Sequence, residues 1–574
     1  MSTQKIFALL MALLLSVSAL ASCNQTPTPQ EQTTPTPAIE STTAATTPSA
    51  PVITPPEDDN SVTLTSVCFL TGNSNLETFC VAELEWYFAQ KGITTAKDGY
   101  PITIAVDDEI AADGYKIEAT KDGLFITGGT NRGLAYALYN FLEKYVGVGF
   151  YAPDAILTNS NAVTLTFGVL DEFTPAFTVL RNPWQPIEAL TEKDGGNVIY
   201  HDNLYKTLTL DALTGAETLD QPCLSDSQKL AAAIEATKAF LAKYPGLKTL
   251  TFAPTSGSDK YCTCDACQAV YTEEGSVAGT YVRFINQIIE AVAADYPELG
   301  FAVKVRPYLQ SAPAVTKLAD GVEIFISTEE THATHPLTDP DCPTSVAFVQ
   351  NLQSWTAAGK VRLEYVLCSN DYIPTFANLG SLRENIKFFA ESGIDSIYCS
   401  GNFPSPSGEF SELRAYLVSK LLQDPYMSEE EYSAQMNEFL IAYYGGGWYY
   451  IRRYIDKTTE LANNQATDRT EPCGQTASDS PLAVITREEY ANHAHIFETY
   501  WNTAEDLAGS RINAVKTSRL QWQYIKVCVN PNPTDAQALI TAVTNAKLAW
   551  RKNQKSVNAE SNFSLMPTQW KYAS

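Results

Sequence analysis

The first candidates for chemistry are the acidic residues that stand at or just beyond short apolar segments. Glu329 and Glu330 follow VEIFIST (322 to 328), and Glu364 lies within VRLEYVL (361 to 367) with Asp371 in the stretch after it. Asp259 follows LKTLTFAP (247 to 254), and Glu409 follows DSIYCS (395 to 400). Cleavage of a glycosidic bond needs two carboxyl groups flanking that bond, one protonated to assist the leaving oxygen and one ionised to act as nucleophile or base. Glu329 as general acid with Glu364 as its partner is the leading pair, because successive strands would bring both to one face of a barrel. Otherwise each is a loop carboxylate that caps a helix or faces solvent. Tyr308 and Trp184 are candidate platforms for the apolar face of a pyranose, or else plain core. His332 and His335, three apart, have the types for a metal site, with a hydrogen bond from His335 to a sugar or a backbone carbonyl as the alternative.

Cysteine supplies a second kind of chemistry. Cys262, Cys264 and Cys267 are spaced C-x-C-x-x-C in KYCTCDAC, and Cys223 in QPCLSD is the candidate fourth ligand. Four thiolates from short loops suit a structural zinc; a local disulfide plus a free thiol is the competing reading. No cofactor for catalysis is expected. Neither a G-x-S-x-G, a dinucleotide glycine fingerprint nor a phosphate loop is present, so hydrolase triads and nucleotide partners gain no support.

Elements must position these groups. Residues 61–170 read as an α+β domain, with a helix from Phe79 to Gln90, a strand PITIAV, a hairpin turning at Lys121-Asp122-Gly123, and a helix carrying Leu134, Leu138, Phe141, Leu142 and Tyr145 on one face. Over 171–447 the pattern changes to apolar strands (FTVL, LKTLTFAP, FAVKVRPYL, VEIFIST, VRLEYVL, DSIYCS) separated by amphipathic helices. Such alternation predicts parallel strands covered by helices, and at this size a (β/α)8-type, TIM-like barrel, complete or incomplete. Six strands are visible, and two more would have to come from 184–225. Beyond about 428 the chain reads as helical, with capping-box spacing at Ser428 with Glu431 and at Thr486 with Glu489 and a continuous helical stretch over 487–527; residues 448–574 read as a C-terminal helical domain.

The front of the chain sets the location. MSTQK precedes an uncharged run from Ile6 to Leu20, and then Leu20-Ala21-Ser22-Cys23. Residues 1–22 therefore read as a signal peptide rather than a membrane span. The tetrad resembles the lipobox of bacterial lipoproteins, which implies diacylation (a palmitate-type anchor) at Cys23. Residues 23–60, rich in Thr, Pro and Ser, cannot bury enough apolar surface to fold and form a tether of at most about 110 Å. The expected site is the extracellular side of the cell membrane, held by the lipid anchor only. Lys plus Arg is 39 against 65 for Asp plus Glu, a net 39 − 65 = −26, which argues against nucleic acid and anionic lipid as partners. With Cys23 acylated, eleven of the 12 cysteines remain, an odd set that precludes complete disulfide pairing.

TNRGLAYALYNFLEKYVGVGFYAPD, YCTCDAC, LEYVLCSNDYIPTFANLGSLRENIKFFAESGIDSIYCSG and GEFSELRAYLVSKLLQDPYM together resemble the family catalogued as domain of unknown function 4838, over about 125 to 455. The front domain is similar to the α+β domain that precedes the barrel of hexosaminidases and α-glucuronidases. The resemblance implies a carbohydrate-active barrel, a glycoside hydrolase acting on a complex glycan. It places His201, Cys223, Cys262, Cys264, Cys267, Tyr308, Glu329, His335 and Pro336 at recurrent positions; the substrate-binding candidates are Tyr308, His201 and His335, joined from the residue reading by Trp184 and Asp371. Two departures stand out. Leu363-Glu364-Tyr365 replaces the usual Trp-Asp-Tyr, and the stretch 184 to 222 is shortened. They keep open the alternative of a non-catalytic glycan-binding surface lipoprotein.

Overall fold

The computed structural model describes residues 60–550, apart from 73, 153, 178–204, 216–219, 256–258, 310, 402–408 and 465–473. Cys23 with the expected signal peptide and tether, Trp184, His201 and the FTVL segment beyond Phe177 lie outside the described residues. The described residues belong to one compact unit.

The front of that unit is built from β1 (Ser61–Thr63), β2 (Ser66–Thr71), β3 (Thr94–Thr95), β4 (Tyr100–Val106), β5 (Tyr115–Thr120), β6 (Gly123–Gly128), β7 (Val148–Ala152), β8 (Ala155–Thr158), β9 (Thr164–Thr166) and β10 (Gly168–Phe173). Six strands make a mixed sheet in the order β10-β5-β6-β4-β2-β3. The expected hairpin forms as the antiparallel β5–β6 pair, turning at Gly123 with φ 154°, a conformation that favours glycine. Helix Asn75–Gln90 starts in a capping box between Ser74 and Glu77. Helix Asn131–Phe141 buries Leu134, Leu138 and Phe141, continues through one wide turn, and stops at Gly147 with φ 80°.

The second sheet is parallel throughout. Its strands are β11 (Tyr205–Thr209), β12 (Thr249–Ala253), β13 (Gly300–Val305), β14 (Glu323–Ser327), β15 (Val361–Val366) and β16 (Ser396–Ser400), adjacent in chain order. Helices Ser227–Lys243, Ala278–Val292, Pro343–Ala358 and Leu382–Glu391 connect them, as the alternation of patterns predicts. The barrel expectation is corrected. Among the described residues the sheet has six strands and is not closed, since β11 and β16 pair with one neighbour each. Among the described residues, the stretch 184–225 contributes β11.

Side-chain alternation gives the sheet two unlike faces. Leu250, Phe252, Val303, Ile324, Ile326 and Leu363 point to one face and are buried beneath the helices. The other face carries Lys304, Glu323, Arg362 and Glu364 at every second position, with Glu323 paired to Arg362 at 2.7 Å. A closed eight-stranded barrel fills its interior with branched apolar side chains, whereas Lys304, Glu323 and Arg362 on this face are partly exposed.

The C-terminal part is helical: Ser411–Gln423, Glu429–Tyr444, Trp448–Asn464, Arg487–Leu507, Ile512–Val529 and Pro533–Asn545. Both expected capping boxes form, at Ser428 with Glu431 and at Thr486 with Glu489. The single helix expected over 487–527 is two, because Gly509 turns left-handed at φ 56° between them.

One buried carboxylate fastens a loop behind the sheet. Glu274 ends helix Asp265–Glu274 with its side chain fully buried, and it accepts from the amides of Val315 and Thr316 at 2.9 Å each and from Arg283 Nε at 2.9 Å. Burial opposes its ionisation, but the Thr316 hydroxyl, these amides and Arg283 outweigh it and bring the pKa from 4.5 to about 2. A pKa lower in the folded state contributes stability that is present above 4.5 and lost as pH falls towards 2, here about 3 kcal/mol. The thermal-midpoint gap between wild type and Glu274→Gln should therefore shrink from pH 7 to pH 3. An equal gap at both pH values would contradict this.

Candidate functional site

The C-terminal ends of β13, β14 and β15 bring the charged groups together. Glu364 is buried in β15, with Ser327 of β14 and Tyr398 of β16 as its cross-strand neighbours. Lys304 reaches it from β13, two strands away, placing Nζ 3.7 Å from Oε2 and 5.4 Å over the Phe325 ring. Tyr398 is 43% exposed, so beside the Glu364 carboxylate an aromatic face reaches solvent. Thr328 locks the two strand ends, accepting no slack: its amide donates to Glu364 O at 2.9 Å and its Oγ1 accepts from Val366 N at 2.9 Å.

Glu330 and Arg306 form the second pair, Nη1 to Oε1 at 3.5 Å. The Glu330 side chain is 47% exposed, and partial desolvation raises its carboxyl pKa; Arg306 opposes that, the Asp259 and Glu329 carboxylates add to it, and Lys304 again opposes. The acids expected after β12 and β14 thus share one electrostatic neighbourhood with two cations. Arg306 Nε is buried with no hydrogen-bond partner, while its side chain as a whole is 26% exposed. A cavity of about 640 Å³ opens here, lined by Arg306, Ser327, Glu330, Phe348 and Trp355. A larger one, about 1110 Å³, lies between the front sheet and helices Ser411–Gln423 and Glu429–Tyr444 and holds none of these groups.

The remaining expected residues divide. Glu329 is half-buried beside Glu330, its amide donating to Ser327 Oγ at 3.2 Å. Tyr308 packs half-buried against the core next to Arg306, and burial pushes its hydroxyl pKa well up. His335 is buried and uses Nδ1 on Pro336 O at 3.0 Å, so it serves the loop backbone. Asp371 sits in the turn after β15, its amide bonded to Ser369 Oγ at 3.2 Å. Glu409 is withdrawn from chemistry altogether, in a fully buried pair with Arg414 at 2.8 Å. Lys304, Arg306 and Tyr398 were missed. The signal was present in FAVKVRPYL, where Lys304 and Arg306 alternate with valines and must share a face.

The cysteine group assembles in full. Gln221 stitches the two loops that carry it: its amide donates to Lys260 O at 2.9 Å, its Nε2 to Thr255 O at 2.8 Å, and its Oε1 accepts from Thr255 N at 3.0 Å. That places Cys223 against Cys262, Cys264 and Cys267, all four sulfurs within 4.8 Å of one another. Cys223 Sγ is 3.7 Å from both Cys264 and Cys267 Sγ. The edge of a tetrahedron with ~2.3 Å metal–sulfur bonds is about 3.8 Å, while a disulfide is about 2.05 Å. The geometry therefore fits a tetrathiolate site. Cys264, whose sulfur accepts from the Cys267 amide and then from neighbouring thiols, has its pKa lowered to about 7, and burial raises that of Cys223 to about 12.

Residues 211–456 match the family described as Domain of unknown function (DUF4838). No curated protein matches the chain. Among solved structures, a GH138 enzyme targeting pectin rhamnogalacturonan II is similar over 84% of this chain and 91% of its own, at 8% identity and a TM-score of 0.39. A GH20 exo-β-N-acetylglucosaminidase from Vibrio harveyi is similar over 67% of this chain and 75% of its own, at 11% identity and a TM-score of 0.37. A β-N-acetylhexosaminidase from Bacteroides fragilis is similar over 66% of this chain and 92% of its own, at 9% identity and a TM-score of 0.36.

Proposed function

We propose that the DUF4838 domain of this chain hydrolyses a glycosidic bond of a complex glycan, using Glu330 as proton donor and Glu364 as the second carboxylate. The observation that carries this reading is the pairing of two unlike carboxyl environments on neighbouring strand ends. Half-exposed Glu330 has its protonated form favoured by partial desolvation and nearby acids, and Glu364 stands beside the Lys304 ammonium. The proton-donor role expected of Glu329 passes to its neighbour, and Glu329 contributes charge that keeps the Glu330 proton in place. Tyr398 offers a ring to the apolar face of a sugar, and the Arg306 guanidinium, which lines the cavity, offers donors to a hydroxyl or carboxylate. A panel of plant, bacterial and host glycans incubated with residues 60–574 should yield new reducing ends from at least one polymer. Binding to a glycan with no cleavage anywhere on the panel would sink the hydrolytic reading.

Two further expectations belong to the same proposal. The domain works outside the cytoplasmic membrane, held by diacylated Cys23 and the Thr/Pro-rich tether; among the described residues no helix is long and apolar enough to cross a membrane. Cys223, Cys262, Cys264 and Cys267 hold a structural zinc, which fastens the loop bearing Asp259. Metal analysis of the purified chain should show one equivalent of zinc fewer in a Cys262→Ser/Cys264→Ser variant. Equal zinc in the two proteins would contradict the site.

A further inference from the structure

We infer that His332, His335 and Cys342 form a second, wholly buried transition-metal site, in the loop that carries Glu329 and Glu330. The ligand atoms of these three residues lie within 4.8 Å of one another, and all three side chains are buried. His332 Nδ1 is 3.2 Å from Cys342 Sγ.

His335 supplies the observation that an ordinary hydrogen-bond cluster leaves unexplained. Its Nδ1 lies 3.0 Å from Pro336 O and 3.7 Å from Asp339 Oδ2. Both neighbours can only accept, so the proton sits on Nδ1 and the ring's lone pair is on Nε2. Nε2 is buried with no hydrogen-bond partner. A histidine that gives its N–H to a backbone carbonyl, has a carboxylate close by, and turns a bare second nitrogen inward has the arrangement of a metal ligand with its outer support in place.

The surroundings limit what can enter. Gly474 closes over the pair so tightly that a Cβ there would lie 2.4 Å from His332 Cβ and 2.9 Å from His335 Nε2. A single ion fits such a space better than an organic ligand. Cys342 caps helix Pro343–Ala358, with the Ser345 amide 3.5 Å from its sulfur, so the sulfur is already held in place. Two imidazoles and a thiolate select a borderline or soft first-row ion, zinc foremost, over magnesium or calcium, which take oxygen ligands. Bound there, the ion draws the three ligands inward and pins residues 328–342. That loop would then be tied down as the Asp259 loop is by the four cysteines, with no part for the metal in bond cleavage.

The test removes the four-thiol site first. The full chain carrying Cys262→Ser and Cys264→Ser is loaded with Co²⁺, dialysed, and examined for cobalt content and for thiolate-to-cobalt absorption. One equivalent of cobalt with that absorption is expected. Adding Cys342→Ser should abolish the absorption, and adding His335→Gln should lower the retained cobalt. Asp339→Asn, which leaves all three ligands in place, should weaken affinity by roughly 10- to 100-fold and serves if Cys342→Ser does not fold. Folded protein that retains no cobalt would overturn the inference. So would absorption indifferent to Cys342→Ser, or affinity indifferent to Asp339→Asn.

Discussion

Glu330→Gln is expected to lower hydrolysis of a natural glycan by roughly 10²- to 10⁴-fold, the loss that follows removal of a positioned proton donor. Glutamine keeps the shape and a contact with Arg306 but has no acidic proton. The deficit should nearly vanish on an aryl glycoside, whose leaving group departs without protonation. Glu364→Gln should lose activity comparably on both substrates, because the second carboxylate acts on the sugar and not on the leaving group. Rates on the two substrates for the two variants therefore assign both roles. Glu329→Gln should cost less than tenfold. A larger loss in Glu329→Gln than in Glu330→Gln would return the proton-donor role to Glu329.

Arg414→Met is expected to destabilise the fold by about 3–5 kcal/mol, because it leaves the buried Glu409 carboxylate without its counter-charge. Arg414 is fully buried, with Nη2 2.8 Å from Glu409 Oε1 and Nε donating to Asn378 Oδ1 at 2.9 Å. Nη1 and Nη2 also reach the carbonyls of Glu409 and Phe376 at 3.2 and 3.4 Å. The guanidinium thereby fastens the loop after β15 to the start of helix Ser411–Gln423. Burial already raises the Glu409 pKa, and Arg414 and the Phe376 amide oppose that. Without Arg414 the carboxylate must take up a proton or unfold its surroundings. A double variant, Glu409→Leu with Arg414→Met, should regain much of the lost thermal midpoint. A midpoint for Arg414→Met within a degree or two of wild type would contradict the ion-pair account.

Much of this architecture is legible in the chain. VEIFIST, VRLEYVL and DSIYCS become β14, β15 and β16, and the intervening amphipathic runs become the covering helices, because period-2 and period-3.6 burial are local properties. Closure is not local. It depends on pairing between strands far apart in sequence, and the six apolar runs say nothing of whether β11 meets β16. The alternation of Glu323, Arg362 and Glu364 with apolar residues carried the missing hint, since charged residues at every second position do not fill a barrel.

The site was legible to a similar depth. C-x-C-x-x-C is compact enough to announce itself, and Cys223 joins it through the Gln221 stitch. Cys342 is ten residues from His332, and only the fold of the β14 loop brings them to 3.2 Å. Glu409 and Glu330 look alike as sequence, each an acid after a strand. Their difference lies in Arg414 at 2.8 Å inside the core against Arg306 at 3.5 Å beside a cavity, which no spacing rule encodes.

The most direct test of the central claim is the pH dependence of kcat/KM on a polymer cleaved in the glycan panel, for wild type and for Glu330→Gln. A proton donor must be protonated, so wild-type activity should fall as pH rises through a Glu330 pKa that lies above the ordinary 4.5. In Glu330→Gln that alkaline limb should be gone, leaving a low rate flat over the same range. An alkaline limb that persists at the same pH in Glu330→Gln would contradict the account.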